Sequence, residues 1–310
     1  MTLDKFENYK ARRLFLFSIF VISLVSVAAL PMSKVSVDLL SFTPLFWPAG
    51  IFIAVSFYCY FREMPVLAAA LETVGFGLLV TFPVLLLTYL VISLDLPLAD
   101  AKLDAMDRAL GFDWFALISF VDARPLLAKT LDLAYRSISF QLALIPVALV
   151  VSGRQPRAYA MVTGYGIVCV LASAIALFFP ALGTYAFYGY GYDSVVNIYP
   201  YFALSPVPEF IAVREHAAYT VSLASTAGLI CFPSVHAGVA YMCAWAAWDL
   251  KWLRYPILAL NAVMAVSAIA IANHYLVDII LGFGVAGLAT SAVTALFLSS
   301  KRQSMGLAQT

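Results

Sequence analysis

Charge is scarce in this sequence: Asp, Glu, Lys and Arg make up 11% of 310 residues, against 64% hydrophobic residues. A soluble chain of this length carries roughly a quarter of its residues charged, so a soluble globular class is excluded. Neither sign of charge dominates, with 18 basic and 17 acidic residues, which removes the basic excess that nucleic-acid binding depends on. Cysteine is equally thin. Cys59, Cys169, Cys231 and Cys243 lie in or beside apolar runs and form no CxxC pair. They read as small buried hydrophobes rather than a disulfide framework or a zinc site. Histidine occurs three times, and no internal repeat or low-complexity tract is evident.

What is present is a series of apolar runs near the roughly 20 residues that cross a bilayer. The sequence therefore predicts an all-α, polytopic membrane helical bundle of about eight spans. They fall near Leu14–Leu30, Phe46–Phe61, Val66–Leu94, Leu133–Val151, Tyr159–Phe179, Pro233–Trp248, Pro256–Ala272 and Leu276–Leu298. The first run is longer than a usual signal-peptide core and is expected to be a retained helix, although small residues at 26–29 also suit a cleavage site. Residues 1–94 hold the N-terminal spans and 95–310 the part carrying polar motifs, most simply as one integrated bundle.

Basic residues bias one set of ends and loops: Lys5, Lys10, Arg12, Arg13, Arg62, Arg154, Arg157, Lys251, Arg254, Lys301 and Arg302. Most acids fall on the other side. The positive-inside rule then places both termini in the cytoplasm. Two long segments are expected outside. Residues 99–122 read as a surface helix, with Leu103, Met106 and Leu110 on an apolar face against Asp104, Asp107 and Arg108. Residues 181–231, rich in Tyr, Gly and Pro, suit an ordered loop at the interface.

Two of the histidines stand where spans meet that outer side. In Phe232-Pro233-Ser234-Val235-His236, proline suits the first turn of a helix, whose free amides, with the Ser234 hydroxyl, can face an anion. The same residues also fit a plain helix start with a packed histidine. In His274-Tyr275-Leu276-Val277-Asp278, spacing by four puts imidazole and carboxylate on one helix face. Asp278 can then fix one ring nitrogen and leave the other free to attack, and an ionisable pair in apolar sequence marks function by default. A membrane histidine satisfied by a carboxylate is the plainer alternative. The hairpin between the two motifs returns both histidines to one depth. Lys129 and Arg136, two helical turns apart, can hold a phosphate or merely snorkel to the interface.

Together these elements resemble the three signatures of the type 2 phosphatidic acid phosphatase superfamily: Lys-x6-Arg-Pro, Pro-Ser-x-His and Ser-Arg-x5-His-x3-Asp. The middle one is complete at Pro233, Ser234 and His236. The first is met at Lys129 and Arg136, with Ser137 in the proline's place. The third is met at Ser267, His274 and Asp278, but Ala268 stands where the family has arginine. The chain is also similar to the branch holding the inositol phosphorylceramide synthases, in which the third signature is looser and an arginine often precedes Pro-Ser-x-His. Arg214 occupies that place. The end of the acidic helix, Leu110-Gly111-Phe112-Asp113-Trp114, also looks like this branch.

The resemblance, which covers about residues 95–290, implies an integral-membrane lipid phosphotransferase, or a phosphatase if water is the acceptor. His274, oriented by Asp278, is the expected nucleophile and His236 the acid–base. Ser234, Lys129, Arg136 and Arg214 are the expected phosphate ligands. No metal or other cofactor is called for. Expected partners are a phospholipid or lipid phosphate, a polyol or lipid hydroxyl as acceptor, and the bilayer, with the site on the extracytoplasmic face. A lipid transporter without chemistry is the competing class, in which buried ionisable groups would mark a path through the bundle.

Overall fold

Proline sets where many of the helices begin. Its fixed φ and missing N–H suit the first helical turn, and α2, α3, α6, α8 and α11 below all open on one. The computed structural model describes residues 3–298. Its first helices are α1 (Leu3–Ala29), α2 (Thr43–Phe61), α3 (Pro65–Ile92), α4 (Asp100–Ala109) and α5 (Trp114–Asp122). Next come α6 (Pro125–Arg136), α7 (Ile138–Val151), α8 (Gln155–Ala176), α9 (Thr184–Phe187), α10 (Tyr201–Leu204) and α11 (Pro206–Glu215). The chain closes with α12 (Val235–Ala247), α13 (Arg254–Ala270) and α14 (Leu276–Phe297).

Among the described residues, five helices are long and apolar enough to cross a membrane: α1, α2, α3, α8 and α14. A sixth is reached if α6 and α7, which meet at 51° around Ser137, form one broken span. The other two of the expected eight, α12 and α13, are apolar but only 13 and 17 residues long. Lys301 and Arg302, part of the charge bias, lie outside the described residues.

The helix α8 runs through the centre, packed by α1, α3, α7, α12 and α14. Small residues make this crowding possible, because without side chains the backbones approach closely. A Cβ at Gly164 would stand 2.9 Å from Met242 Sδ, and one at Gly238 would stand 2.8 Å from Val168. A Cβ at Gly75 would meet Ile53 at 2.8 Å, so α2 and α3 form a tight hairpin. One buried charge pins the N-terminal helices: Glu72 pairs with Arg12 at 2.7 Å and accepts from Tyr159 at 2.6 Å and Tyr60 at 3.1 Å. Every partner of that carboxylate is in place, as burial in a span demands.

Residues 181–231 form an ordered cap over one end of the bundle. It is tied to the N-terminal part by a parallel pairing of β1 (Val35–Val37) with β2 (Tyr219–Val221). Its tyrosines are largely structural. Tyr185 donates to the Ala270 carbonyl at 2.7 Å, and Tyr185, Tyr188 and Tyr190 pack around Trp114.

The helix expected at 99–122 is two helices, α4 and α5, and the faces of α4 are reversed from the sequence reading. Leu103 is buried as expected, but so are Asp100, Asp104 and Asp107, while Met106 and Leu110 are 48% and 59% exposed. The acids turn inward because backbone N–H and tyrosine O–H groups wait for them there.

Candidate active site

The His274–Asp278 pair is built by a helix start rather than by a helix face. Tyr275 is the N-cap of α14, and Asp278, three residues on, reaches back to the Tyr275 N–H at 2.9 Å. That is half of a capping box. The same Oδ2 lies 3.2 Å from His274 Nδ1, so His274 sits just before the helix with its ring folded over the first turn. A carboxylate at Nδ1 holds the proton there and leaves Nε2 with a free lone pair. Both side chains are buried, Asp278 wholly.

A third group completes this cluster. Cys231 Sγ is 3.1 Å from Asp278 Oδ2 and 3.2 Å from the Asn273 carbonyl. Burial, and then the Asp278 charge, push the thiol well above its ordinary pKa, so it stays S–H and donates. Cys231 is thus not merely a small buried hydrophobe. Cys231, His274 and Asp278 present sulfur, nitrogen and oxygen atoms within 4.8 Å of one another, engaged with each other by hydrogen bonds.

His236 enters from the start of α12. Ser234 is the N-cap, its Oγ accepting from the Ala237 N–H at 3.2 Å, and its own N–H donates to the Asp278 carbonyl at 3.0 Å. Of the amides expected to face an anion, that of Ser234 is therefore committed. Among the described residues the Ser234 hydroxyl accepts from Ala237 but donates to no side chain or carbonyl. The His236 ring stacks on Tyr135, with centroids 4.1 Å apart and planes at 12°, and its Nδ1 is 3.3 Å from the Tyr135 hydroxyl.

The two histidine loops meet because α12 and α14 touch backbone to backbone. A Cβ at Gly282 would run into the Ser234 carbonyl and stand 3.2 Å from Ala237 Cβ. The result is a facing pair of imidazoles with ring centroids 6.4 Å apart.

Both rings line a cavity of about 670 Å³ that also takes in Tyr135, Arg136, Tyr201 and Asn273. Arg136 is bonded to Asp132 at 2.8 Å, and its guanidinium lies 4.6 Å from the Phe202 ring. Lys129, two turns back on α6, is exposed and is not part of the lining. Arg214 also lies off the cavity wall: it pairs with Asp95 at 2.7 Å, donates to the Leu96 carbonyl at 2.8 Å and packs on Phe210. Ala268 is fully buried against the core of α6 and α13, and the Ser267 hydroxyl donates to the Met264 carbonyl at 2.7 Å. His216 is exposed beside Tyr219, 6.4 Å between rings. Of the expected phosphate-binding cations, Arg136 alone shares the cavity with the histidines.

Part of the cavity lining is apolar. It consists of Phe42 and Leu45 at the start of α2 with Thr81, Val84, Leu85 and Thr88 of α3. Both threonine hydroxyls are turned back on their own helix, to Leu78 at 2.6 Å and Leu85 at 2.7 Å. A charged pole and a hydrocarbon wall thus share one space.

No curated protein and no solved structure matches the chain. The sequence model of the PAP2 superfamily matches residues 101–292, more than half of the chain. That stretch runs from α4 to α14 and contains both histidines, Asp278, Arg136 and the loops that bring them together. On that match, this membrane protein belongs to the PAP2 superfamily.

Proposed function

We propose that the protein is a lipid phosphotransferase working through a phosphohistidine at His274, with its active site on the extracytoplasmic face. The observation that carries this reading is the facing pair: imidazoles 6.4 Å apart, one with Nδ1 held by a buried carboxylate. Nε2 of His274 attacks phosphorus, the P–O bond to the leaving group breaks, and His236 gives that oxygen its proton. The acceptor's O–H then loses its proton to His236 and its oxygen attacks phosphorus. The P–N bond breaks and His274 is restored. Arg136 and Asn273, which line the cavity, are placed to take the charge on the phosphoryl oxygens, whereas the expected ligand Ser234 is buried behind the lining.

The apolar part of the cavity lining suits the hydrocarbon part of a phospholipid or lipid phosphate. Water as acceptor would make the same chemistry a lipid phosphatase. Transfer to a polyol or lipid hydroxyl is favoured by the loose third signature, which is similar to that of the inositol phosphorylceramide synthases. The motif residues His236, His274 and Asp278 cluster at one end of the bundle rather than along it, which speaks against a transport path. Arg154 and Arg157 pair with Asp249 at 3.3 Å at the opposite end, which supports a cytoplasmic assignment for that end. The test is incubation of purified protein with headgroup-labelled phospholipid, with and without a polyol. A new labelled phosphoester is expected; free phosphate alone would make the protein a phosphatase, and no product would remove the enzyme reading.

A further inference from the structure

Two of the inward-facing acids of α4, Asp107 and Asp100, have no part in the chemistry above, yet they contact the His274 loop from outside it. Asp107 Oδ2 accepts from the Leu276 N–H at 2.8 Å, and Oδ1 accepts from the Val277 N–H at 2.9 Å. These are first-turn amides of α14, which no intrahelical carbonyl can satisfy. Tyr275, the N-cap residue, supplies no oxygen to them. A carboxylate about 170 positions earlier in the chain does so instead.

Two turns back on α4, Asp100 accepts from the Tyr275 hydroxyl at 3.0 Å and from the Leu182 and Gly183 amides at 3.0 and 2.8 Å. The 182–184 stretch so held grips Asn273. Thr184 N–H donates to the Asn273 carbonyl at 3.0 Å, and Asn273 Nδ2 donates to the Leu182 carbonyl at 2.9 Å. Gly183, at φ +94°, is required at this contact, since a Cβ there would collide with Asn273. Asn273, Tyr275, Leu276 and Val277 are therefore all tied to α4 directly or through 182–184. His274 stands among them with its Nε2 free.

A buried carboxylate is a costly cap, because a neutral oxygen from Ser or Asn does the same for a helix end. Burial indeed pushes the Asp107 carboxyl above its ordinary range despite its two amide donors. What the carboxylate adds is a two-point, charge-assisted grip that a neutral cap lacks. We propose that Asp107, supported by Asp100, is a positioning residue for His274: it fixes the start of α14 and thereby the placement of the nucleophilic nitrogen against phosphorus. This assignment rests on phosphohistidine chemistry at His274.

The experiment compares the parent protein with Asp107→Asn, Asp107→Ala and Met106→Ala, the last altering an exposed neighbour on the same helix. Initial rates are measured on dioctanoyl phosphatidic acid in detergent micelles and normalised to folded protein by thermal unfolding. A misplacement near 1 Å costs on the order of 100-fold in rate. In Asp107→Ala, kcat should fall about 10- to 100-fold while KM stays within about twofold. Asp107→Asn, with one acceptor oxygen left, should fall between, and Met106→Ala should match the parent. If Asp107→Ala does not fold, Asp107→Asn and Asp100→Asn carry the comparison. A normal kcat per folded molecule, or a change confined to KM, overturns the positioning role even if stability drops.

His274→Ala is run alongside: activity surviving there would remove the phosphohistidine reading, a separate failure from a silent Asp107. Amide exchange at Leu276 and Val277 needs no substrate. It should quicken in Asp107→Ala, and unchanged exchange overturns the clamp whatever the parent protein turns over.

Discussion

The histidines differ in what holds them, and the difference underlies the roles proposed for them. His274 has its Nδ1 against a carboxylate that is wholly buried, whereas His236 meets a tyrosine hydroxyl and a stacked ring. A fixed tautomer suits a nucleophile, and a ring without a carboxylate can carry a proton back and forth more easily. The cations differ in the same way. Arg136→Ala should lower turnover of a lipid phosphate by about 100-fold, the usual loss for one preorganised donor. Lys129→Ala, which removes an exposed side chain, should stay within about twofold. Initial-rate measurements on the two variants check this, and equal losses would mean that Lys129 reaches the phosphate.

Spacing made some of these residues legible and sequence distance hid the others. His274 and Asp278 are four apart, and Ser234 and His236 share one helix start, so local geometry alone brings each pair together. Tyr135 meets His236 across 101 positions, Cys231 meets Asp278 across 47, and Asp107 meets Val277 across 170. Nothing local announces such contacts. Asp107 was even misleading, since an acid on an amphipathic helix ordinarily faces water. Arg214 stood in the right stretch of chain for a phosphate ligand, but it is held off the cavity wall by Asp95 and the Leu96 carbonyl.

Among the elements, α12 and α14 decide whether there is a site at all. Their contact at Gly282 leaves no room for a methyl group beside Ser234 and Ala237. Gly282→Ala should therefore destabilise the fold by about 1–3 kcal/mol through overpacking, and should depress turnover further by parting the histidine loops. Thermal unfolding in detergent and a rate per folded molecule separate the two effects. An alanine variant with parental stability and rate would show that the helices are not in contact there.

The hairpin of α2 and α3 lies outside the family-matched stretch, yet it supplies the hydrocarbon wall of the cavity. Val84→Trp should fill that wall and cut turnover of a long-chain lipid phosphate while sparing a small aryl phosphate. Equal effects on both substrates would place the lipid elsewhere. Helix boundaries followed from proline and hydropathy, but the 51° break between α6 and α7 did not. In sequence the two merged into one span starting near Leu133, because no proline or glycine marks Ser137.

For the molecule as a whole, composition alone shows a membrane protein, and the proposed site at one end predicts which way it faces. With the four native cysteines replaced, a membrane-impermeant thiol reagent applied outside should label Asp193→Cys in the cap and spare Lys251→Cys at the other end. The reverse pattern would put the active site in the cytoplasm. The number of crossings depends on α12 and α13. At about 20 and 25 Å they are shorter than the roughly 30 Å hydrocarbon core. They place the histidines where that hairpin ends, beneath the cap formed by 181–231.

The covalent step at His274 is tested most directly by trapping it. Purified protein is quenched during turnover of a phosphate-labelled lipid, and protein-bound label is followed in acid and in base. An acid-labile, base-stable phosphoenzyme should form in the parent protein and be absent from His274→Ala. Equal trapping in His274→Ala, or none in a parent protein that is turning over lipid, would contradict the nucleophile assigned to His274.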